Sequence, residues 1–309
     1  MTRTTVQRWL DAGELDLPLP GSGGTLIRWQ ALAALCERDV VAGRLAEAHT
    51  DAIAILAELN GPAAQPDRLW GVWAAEAPGA TVTAHHDGDD VTLSGIKAWC
   101  SGAGLCADAL VTAQTDTGAR GLYAVDLHGP GVEPLPSTWR NAGMADSDTR
   151  SVQFSAAPAT PVGGPDEYLT RPGFWHGAAG VAACWLGAAR AVAAALYRAV
   201  AAHQDQNPYT AAHLGAVDTA LAAAEALMTS TAGQVDAAPH SAGQVAARRL
   251  RAAVETAVDE AIGRTARALG PAPLAMDEAH ARRVADLTMY VRQSHAERDL
   301  AALGLLVAR

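Results

Sequence analysis

The chain has 309 residues, half of them hydrophobic and 18% charged, with 23 Lys and Arg against 33 Asp and Glu for a formal net charge of -10. At roughly 150 residues per domain this length holds two domains or three small ones, and the apolar content excludes a disordered chain. An acidic chain without a basic tract lacks the electrostatic footprint that holds nucleic acid or a membrane surface, which leaves small molecules and other proteins as partners.

The first residues, MTRTTVQRWLDAGELDLPLPG, hold no continuous apolar core of signal-peptide length, so a cytoplasmic location is expected. Cys36, Cys100, Cys106 and Cys184 are scattered, read as reduced thiols and show no zinc spacing, so no metal site is expected. Residues 1–69 read as a reduced helical domain. Val6, Trp9 and Leu10 begin a short amphipathic helix, and Leu17 to Gly24 reads as a flexible loop because prolines and glycines break any regular element. From Ile27 to Leu59 apolar positions including Leu32, Leu35, Val41, Leu45, Ala52 and Ile55 recur at helical spacing, until Asn60, Gly61 and Pro62 stop the helix.

The pattern changes over residues 70–166. Short segments rich in Val, Thr, Trp and Tyr (TVTAHH, DVTLSGIKAW, ALVTAQT, RGLYAVDL, RSVQF) are separated by Asp87-Gly88, Thr117-Gly118 and Gly129-Pro130-Gly131, which predicts an antiparallel β domain built of hairpins. His85 and His86 fall on one strand and point to opposite faces, so they read as one half-buried and one solvated imidazole rather than as metal ligands.

Residues 167–309 read as a four-helix bundle, with helices from Pro172 to about His203, Pro208 to about Asp236, Ser241 to Leu269 and Asp277 to about Leu306. Asn207 and Asp277 are expected caps and Pro208 a first helical residue. The apolar run from Ala178 to Ala202 is rich in alanine and interrupted by Arg190 and Arg198, which suits a buried helix better than a membrane span. Helices so rich in alanine approach closely and leave gaps for the few large aromatics, and they expose more apolar surface than one bundle covers, so a homo-oligomer is expected. There is no GxSxG elbow, HExxH, Walker loop or GxGxxG. His295, Glu297 and Asp299 read, beside Arg292 and Arg298, as an ion-paired helix face.

The stretch from Trp70 to Asp116 resembles the middle domain of the acyl-CoA dehydrogenase family, with Lys97, Trp99 and Ser101 matching its Lys-x-Trp-x-Ser/Thr motif. TWRNAGMADSDTRSVQF, from Thr138 to Phe154, is similar to the segment leading into that domain's last strand, and the likeness continues through Leu186 to Arg190 and through Arg282, Arg283, Asp286 and Tyr290. The resemblance implies a mostly α, α+β fold: N-terminal helices, a middle antiparallel β-barrel-like domain and a C-terminal four-helix bundle. It further implies FAD, with Trp99 and Ser101 against the flavin, and α,β-dehydrogenation of an acyl-CoA or related thioester, in which a base removes the α proton while the β hydride passes to the cofactor.

Several family features are altered. The segment that touches flavin and substrate is shortened to AEAPGAT, with Glu76 and Pro78 retained. HQDQNPY stands in place of the Arg-x-x-Phe-Gly motif, and Gly270-Pro271 in place of the Gly-Gly pair that admits the pyrophosphate. On an uninterrupted last helix the usual base falls on Ser294, with His295 one residue further. The alternative base position of isovaleryl-type enzymes is occupied by His176, which therefore becomes the expected catalytic base. Two other functions fit the altered motifs: a partner subunit or scaffold without catalysis, and a flavin monooxygenase on the same fold.

Overall fold

The computed structural model describes residues 2–202, 207–241 and 243–308. The altered HQDQ stretch and His203, the expected end of the first bundle helix, lie outside the described residues. The chain forms two compact units, one of Met1–Leu17, Leu45–Arg140 and Ala145–Phe174 and one of Pro18–Arg44, Asn141–Met144 and Trp175–Arg309. They are called below the sheet unit and the bundle unit.

Three helices come first: α1 (Thr2–Asp11), α2 (Thr25–Arg38) and α3 (Val40–Glu58). The single helix expected from Ile27 to Leu59 is thus two. Asp39 is extended (φ -153°, ψ 114°), and its carboxylate accepts the Ala42 amide at 2.9 Å, capping α3. The break lets Gly43 lie against Cys36, in a gap too narrow for any β-carbon.

Among the described residues the sheet unit holds eight strands: β1 (Trp70–Trp73), β2 (Val82–Asp87), β3 (Asp90–Cys100), β4 (Asp108–Gln114), β5 (Arg120–Asp126), β6 (Val132–Pro134), β7 (Arg150–Pro158) and β8 (Thr160–Pro161). They run in the order β6-β7-β3-β2-β4-β5-β8, with β1 added beside β4. The expected hairpins β2/β3 and β4/β5 are present. The sheet is not wholly antiparallel, because β1 pairs with β4 in parallel and β2 meets β4 in parallel at Thr83 and Gln114. That suits β4, whose residues Asp108 to Ala113 are all buried, the continuous pattern of a strand covered on both faces. Ile55 and Leu56 of α3 and Leu59 just beyond it pack on Trp70, Leu110, Leu122 and Val162, each side chain contributing about 1.5–3 kcal/mol by leaving water. A short α4 (Glu167–Thr170) follows, and Arg171 closes the unit on Glu58 at 2.5 Å.

The bundle unit is built on α5 (Gly173–Ala202), α6 (Pro208–Ala237), α7 (Gln244–Leu269), α8 (Ala272–Met276), α9 (Glu278–Tyr290) and α10 (Glu297–Val307). Caps fall where expected. The Asn207 side chain accepts the amides of Tyr209 and Thr210, and Asp277 accepts that of His280 at 3.0 Å. Glycine lets the backbones meet at the closest point: a β-carbon at Gly187 would collide with the Ala33 carbonyl of α2. Trp29 and Trp185 fill the remaining gaps, Trp185 edge-on to Tyr290 at 6.2 Å. By length and composition α5 is apolar enough to cross a membrane, and most of its apolar stretch is buried within the protein. The Gly21 to Gly24 loop, expected to be flexible, is tied to α6, since the Asp236 carboxylate accepts the amides of Gly23 and Thr25 and the Thr25 hydroxyl.

The expected fourth helix is interrupted. After Tyr290 the chain makes one 3-10 turn, Val291–Gln293, then Ser294 is extended and Ala296 takes φ 44° and ψ -116° before α10 begins. Neither proline nor glycine causes this. Side chains replace the lost helical bonds, since the Ser294 hydroxyl accepts the Ala296 amide at 3.2 Å and the Asp299 carboxylate accepts the His295 amide at 3.1 Å.

Candidate functional site

Each unit contributes one group of candidate residues. In the sheet unit they lie where β3 leaves the sheet. Pairing of β3 with β7 slips between Lys97 and Cys100, and Trp99 within this bulge has φ +61°. A regular strand would send Lys97 and Trp99 to the same face. The bulge separates them: Lys97 is 3% exposed, whereas Trp99 is 56% exposed. A bulky residue in the left-handed region is strained by about 1–3 kcal/mol, which persists where surrounding structure fixes it.

That structure is identifiable. The Lys97 ammonium donates to the Thr112 carbonyl at 3.0 Å and hydroxyl at 2.8 Å and meets Glu76 at 3.2 Å. Burial lowers its pKa from the ordinary lysine value, with Glu76 opposing that shift. Beyond Trp99, the Ser101 hydroxyl lies 2.9 Å from that of Thr149, which lies 2.7 Å from that of Ser147. The Ser101 carbonyl accepts the Trp73 indole N–H at 3.0 Å, and the Gly102 amide donates to the Ser147 carbonyl at 2.8 Å. The Ser147-Asp148-Thr149 segment therefore clamps the turn that presents Trp99 and Ser101. The exposed Trp99 ring stands edge-on to Trp139, centroids 6.4 Å apart, a partner that sequence reasoning missed. His85 and His86 stand at the outer end of the β2/β3 hairpin. Both are exposed, correcting the expectation of a half-buried one, and His86 reaches the Tyr123 hydroxyl at 3.1 Å.

In the bundle unit a small pocket is lined by residues that include Trp175, Arg248, Arg251, Glu255, Ser294 and Asp299. Both positions compared for the base bear on it: Ser294 lines it directly, and Trp175, the neighbour of His176 at the start of α5, forms part of its wall. His176 itself is 4% exposed and does not line it. The Arg248 guanidinium lies over the Trp175 ring at 4.7 Å and pairs with Asp299 at 3.1 Å, while Arg251 lies over Trp185 at 4.5 Å and donates to the Ala178 carbonyl at 2.9 Å. Burial alone would raise the Asp299 carboxyl, but the His295 amide and Arg248 hold it below the usual range. His295 is exposed, with Nδ1 3.6 Å from the Asp299 carboxylate that Arg248 pairs, and the helix carrying it is broken.

Sequence reasoning missed Glu255. It lies on α7, and its carboxylate accepts the Ser294 hydroxyl at 2.5 Å and faces Arg292 at 3.3 Å. In the sequence RRLRAAVETAVDE it is one of several charges on an ordinary amphipathic helix, with nothing local to single it out.

The architecture has known counterparts. The butyryl-CoA dehydrogenase of Megasphaera elsdenii superposes with a TM-score of 0.83 at 17% identity, covering 98% of this chain and 89% of that one. The dibenzothiophene monooxygenase of Paenibacillus sp. A11-2, in its complex with FMN and indole, gives 0.81 at 20%, covering 100% and 95%. KijD3, in complex with FMN and a dTDP-linked amino-keto sugar, gives 0.81 at 18%, covering 99% and 87%. No protein-family profile and no curated protein matches the chain. The chain has the acyl-CoA dehydrogenase fold, with the order of helices, β domain and helical bundle expected from its sequence.

Proposed function

We propose that the chain is a flavin-dependent oxidoreductase that removes hydrogen across the α,β bond of an acyl thioester. The observation that carries this reading is Trp99, an exposed indole held in a strained conformation by a bulge and a hydroxyl clamp, where the resemblance places the flavin ring. Such an edge fits the isoalloxazine: Trp99 would cover it and the Ser101 hydroxyl would hydrogen-bond to it. When bound, a flavin supplies a two-electron acceptor for hydride. The chain's own residues orient the ring, exclude water and accept a proton, for which the bundle unit offers His176 in the first turn of α5 and Glu255 on α7. Assembly into a homo-oligomer is part of the same reading, because α10 has no buried residue although Leu300, Leu305 and Val307 lie on it.

FAD is the cofactor the resemblance implies. Its ADP half meets a changed backbone, since Gly270 (φ 66°) is followed by Pro271, which has no amide to donate. This favours a second reading, a monooxygenase that uses FMN, and the dibenzothiophene monooxygenase among the structural counterparts is seen in complex with FMN. The visible absorption spectrum of the purified protein tests both. Yellow protein releasing FAD and bleached anaerobically by an acyl-CoA supports the first, whereas released FMN that acyl-CoA leaves oxidised supports the second. A colourless protein that takes up neither flavin would overturn both and leave the scaffold.

A further inference from the structure

We propose that Trp139 is a positioning residue that holds the indole of Trp99 in the pose that covers the flavin; this rests on the flavin reading above. The backbone at Trp99 is fixed from both sides. Lys97 donates to the Thr112 hydroxyl at 2.8 Å, Cys100 is fully buried with its thiol on the Lys97 carbonyl at 3.3 Å, and the Ser101 amide donates to the Trp99 carbonyl at 3.1 Å. Those bonds set where the Trp99 side chain leaves the chain, but not its two side-chain torsions. The ring is 56% exposed, so the sheet beneath it does not select one rotamer. A ring left to rotate has to be ordered at the moment of binding, which costs affinity.

The topology of the sheet supplies the missing constraint. β7 lies between β6 and β3. At its start Arg150 pairs with Cys100 of β3, and on the opposite side the Ser151 carbonyl accepts the amide of Leu135, one residue past β6, at 2.9 Å. Trp99 and the segment carrying Trp139 therefore flank the same end of β7. Within that segment the Ser137 hydroxyl accepts the Trp139 amide at 3.3 Å, which turns the chain. The two indoles then meet with centroids 6.4 Å apart and planes at 87°. At that angle the positive edge of one ring faces the negative face of the other, a contact that weighs about two- to tenfold in an equilibrium. Trp99 thus receives from Trp139 the orientation that its own strand leaves open.

Circular dichroism of the purified protein tests the contact, and flavin titration tests its consequence. The exciton couplet of two coupled indoles should vanish in Trp99→Phe and in Trp139→Phe alike; its persistence in either overturns the assignment. The flavin-stripped protein is then titrated with FAD and with FMN and followed by flavin fluorescence. Trp139→Leu, which fills similar space without a ring, should weaken binding about two- to tenfold at an unchanged melting temperature and leave the bound flavin brighter, because a stacked indole quenches it. Trp139→Phe, which keeps an aromatic edge, should bind within about twofold of the native chain. Because Trp139 acts through Trp99, Trp139→Leu should cost nothing further in a Trp99→Ala background. An equal loss in both backgrounds, or native affinity in Trp139→Leu, overturns the assignment and leaves the flavin reading standing. A native protein that shows the couplet but binds neither flavin overturns the flavin reading, and the role of Trp139 with it.

Discussion

Trp99 combines exposure with a backbone conformation that bulky side chains avoid, so the chain gains little stability from the indole itself. Trp99→Ala is accordingly expected to change unfolding free energy by less than about 1 kcal/mol while reducing the flavin retained on purification. Denaturant melts and flavin-to-protein absorbance ratios check the two halves. Lys97, two residues earlier, is buried with a lowered pKa. Between that depressed value and the ordinary one the unfolded chain binds the extra proton, so the contribution of Lys97 to stability rises with pH across this alkaline window. The urea midpoint of the native chain should gain on that of Lys97→Met as pH rises toward the ordinary lysine value of 10.5, and a constant difference up to that value would contradict the shift. Lys97, Trp99 and Ser101 were legible in sequence because five consecutive positions carry the motif. Glu255 was not, since its meaning depends on Ser294 in another element, a contact that local spacing does not encode.

Among elements, the regular ones follow from periodicity and the breaks do not. Apolar positions run from Leu32 to Ile55 at helical spacing because a single extended residue at Asp39 scarcely alters the sequence interval between buried faces. Asp39 and Ser294 are polar residues whose side chains bond to amides two or three residues on, and such competition with the helix leaves only a weak sequence trace. The parallel pairing of β1 was likewise invisible, as four residues show little periodicity. Ala296 at φ 44° occupies a region where glycine is at ease. Ala296→Gly is therefore expected to stabilise the protein by up to about 1 kcal/mol, an increase visible in a thermal melt. An unchanged or lower melting temperature would mean that the backbone there relaxes in solution.

At the scale of the molecule, the order of helices, sheet and bundle was readable because each segment changes period where its neighbour begins. The exposed apolar side chains of α10 carry the assembly prediction: light scattering at micromolar concentration should give at least a dimer, and Leu305→Glu, at a residue 70% exposed, should lower the mass. A monomeric native protein would contradict it. The four cysteines give the architecture a consequence of another kind. All are buried and outside any disulfide, Cys100 and Cys106 in the sheet unit, Cys36 and Cys184 in the bundle unit. A thiol reagent reaches them only when the surrounding structure opens, and local opening free energies range from near zero to the global value. Each unit thus carries two built-in clocks of its own opening, and the order in which the four thiols react ranks how readily each part of the molecule opens.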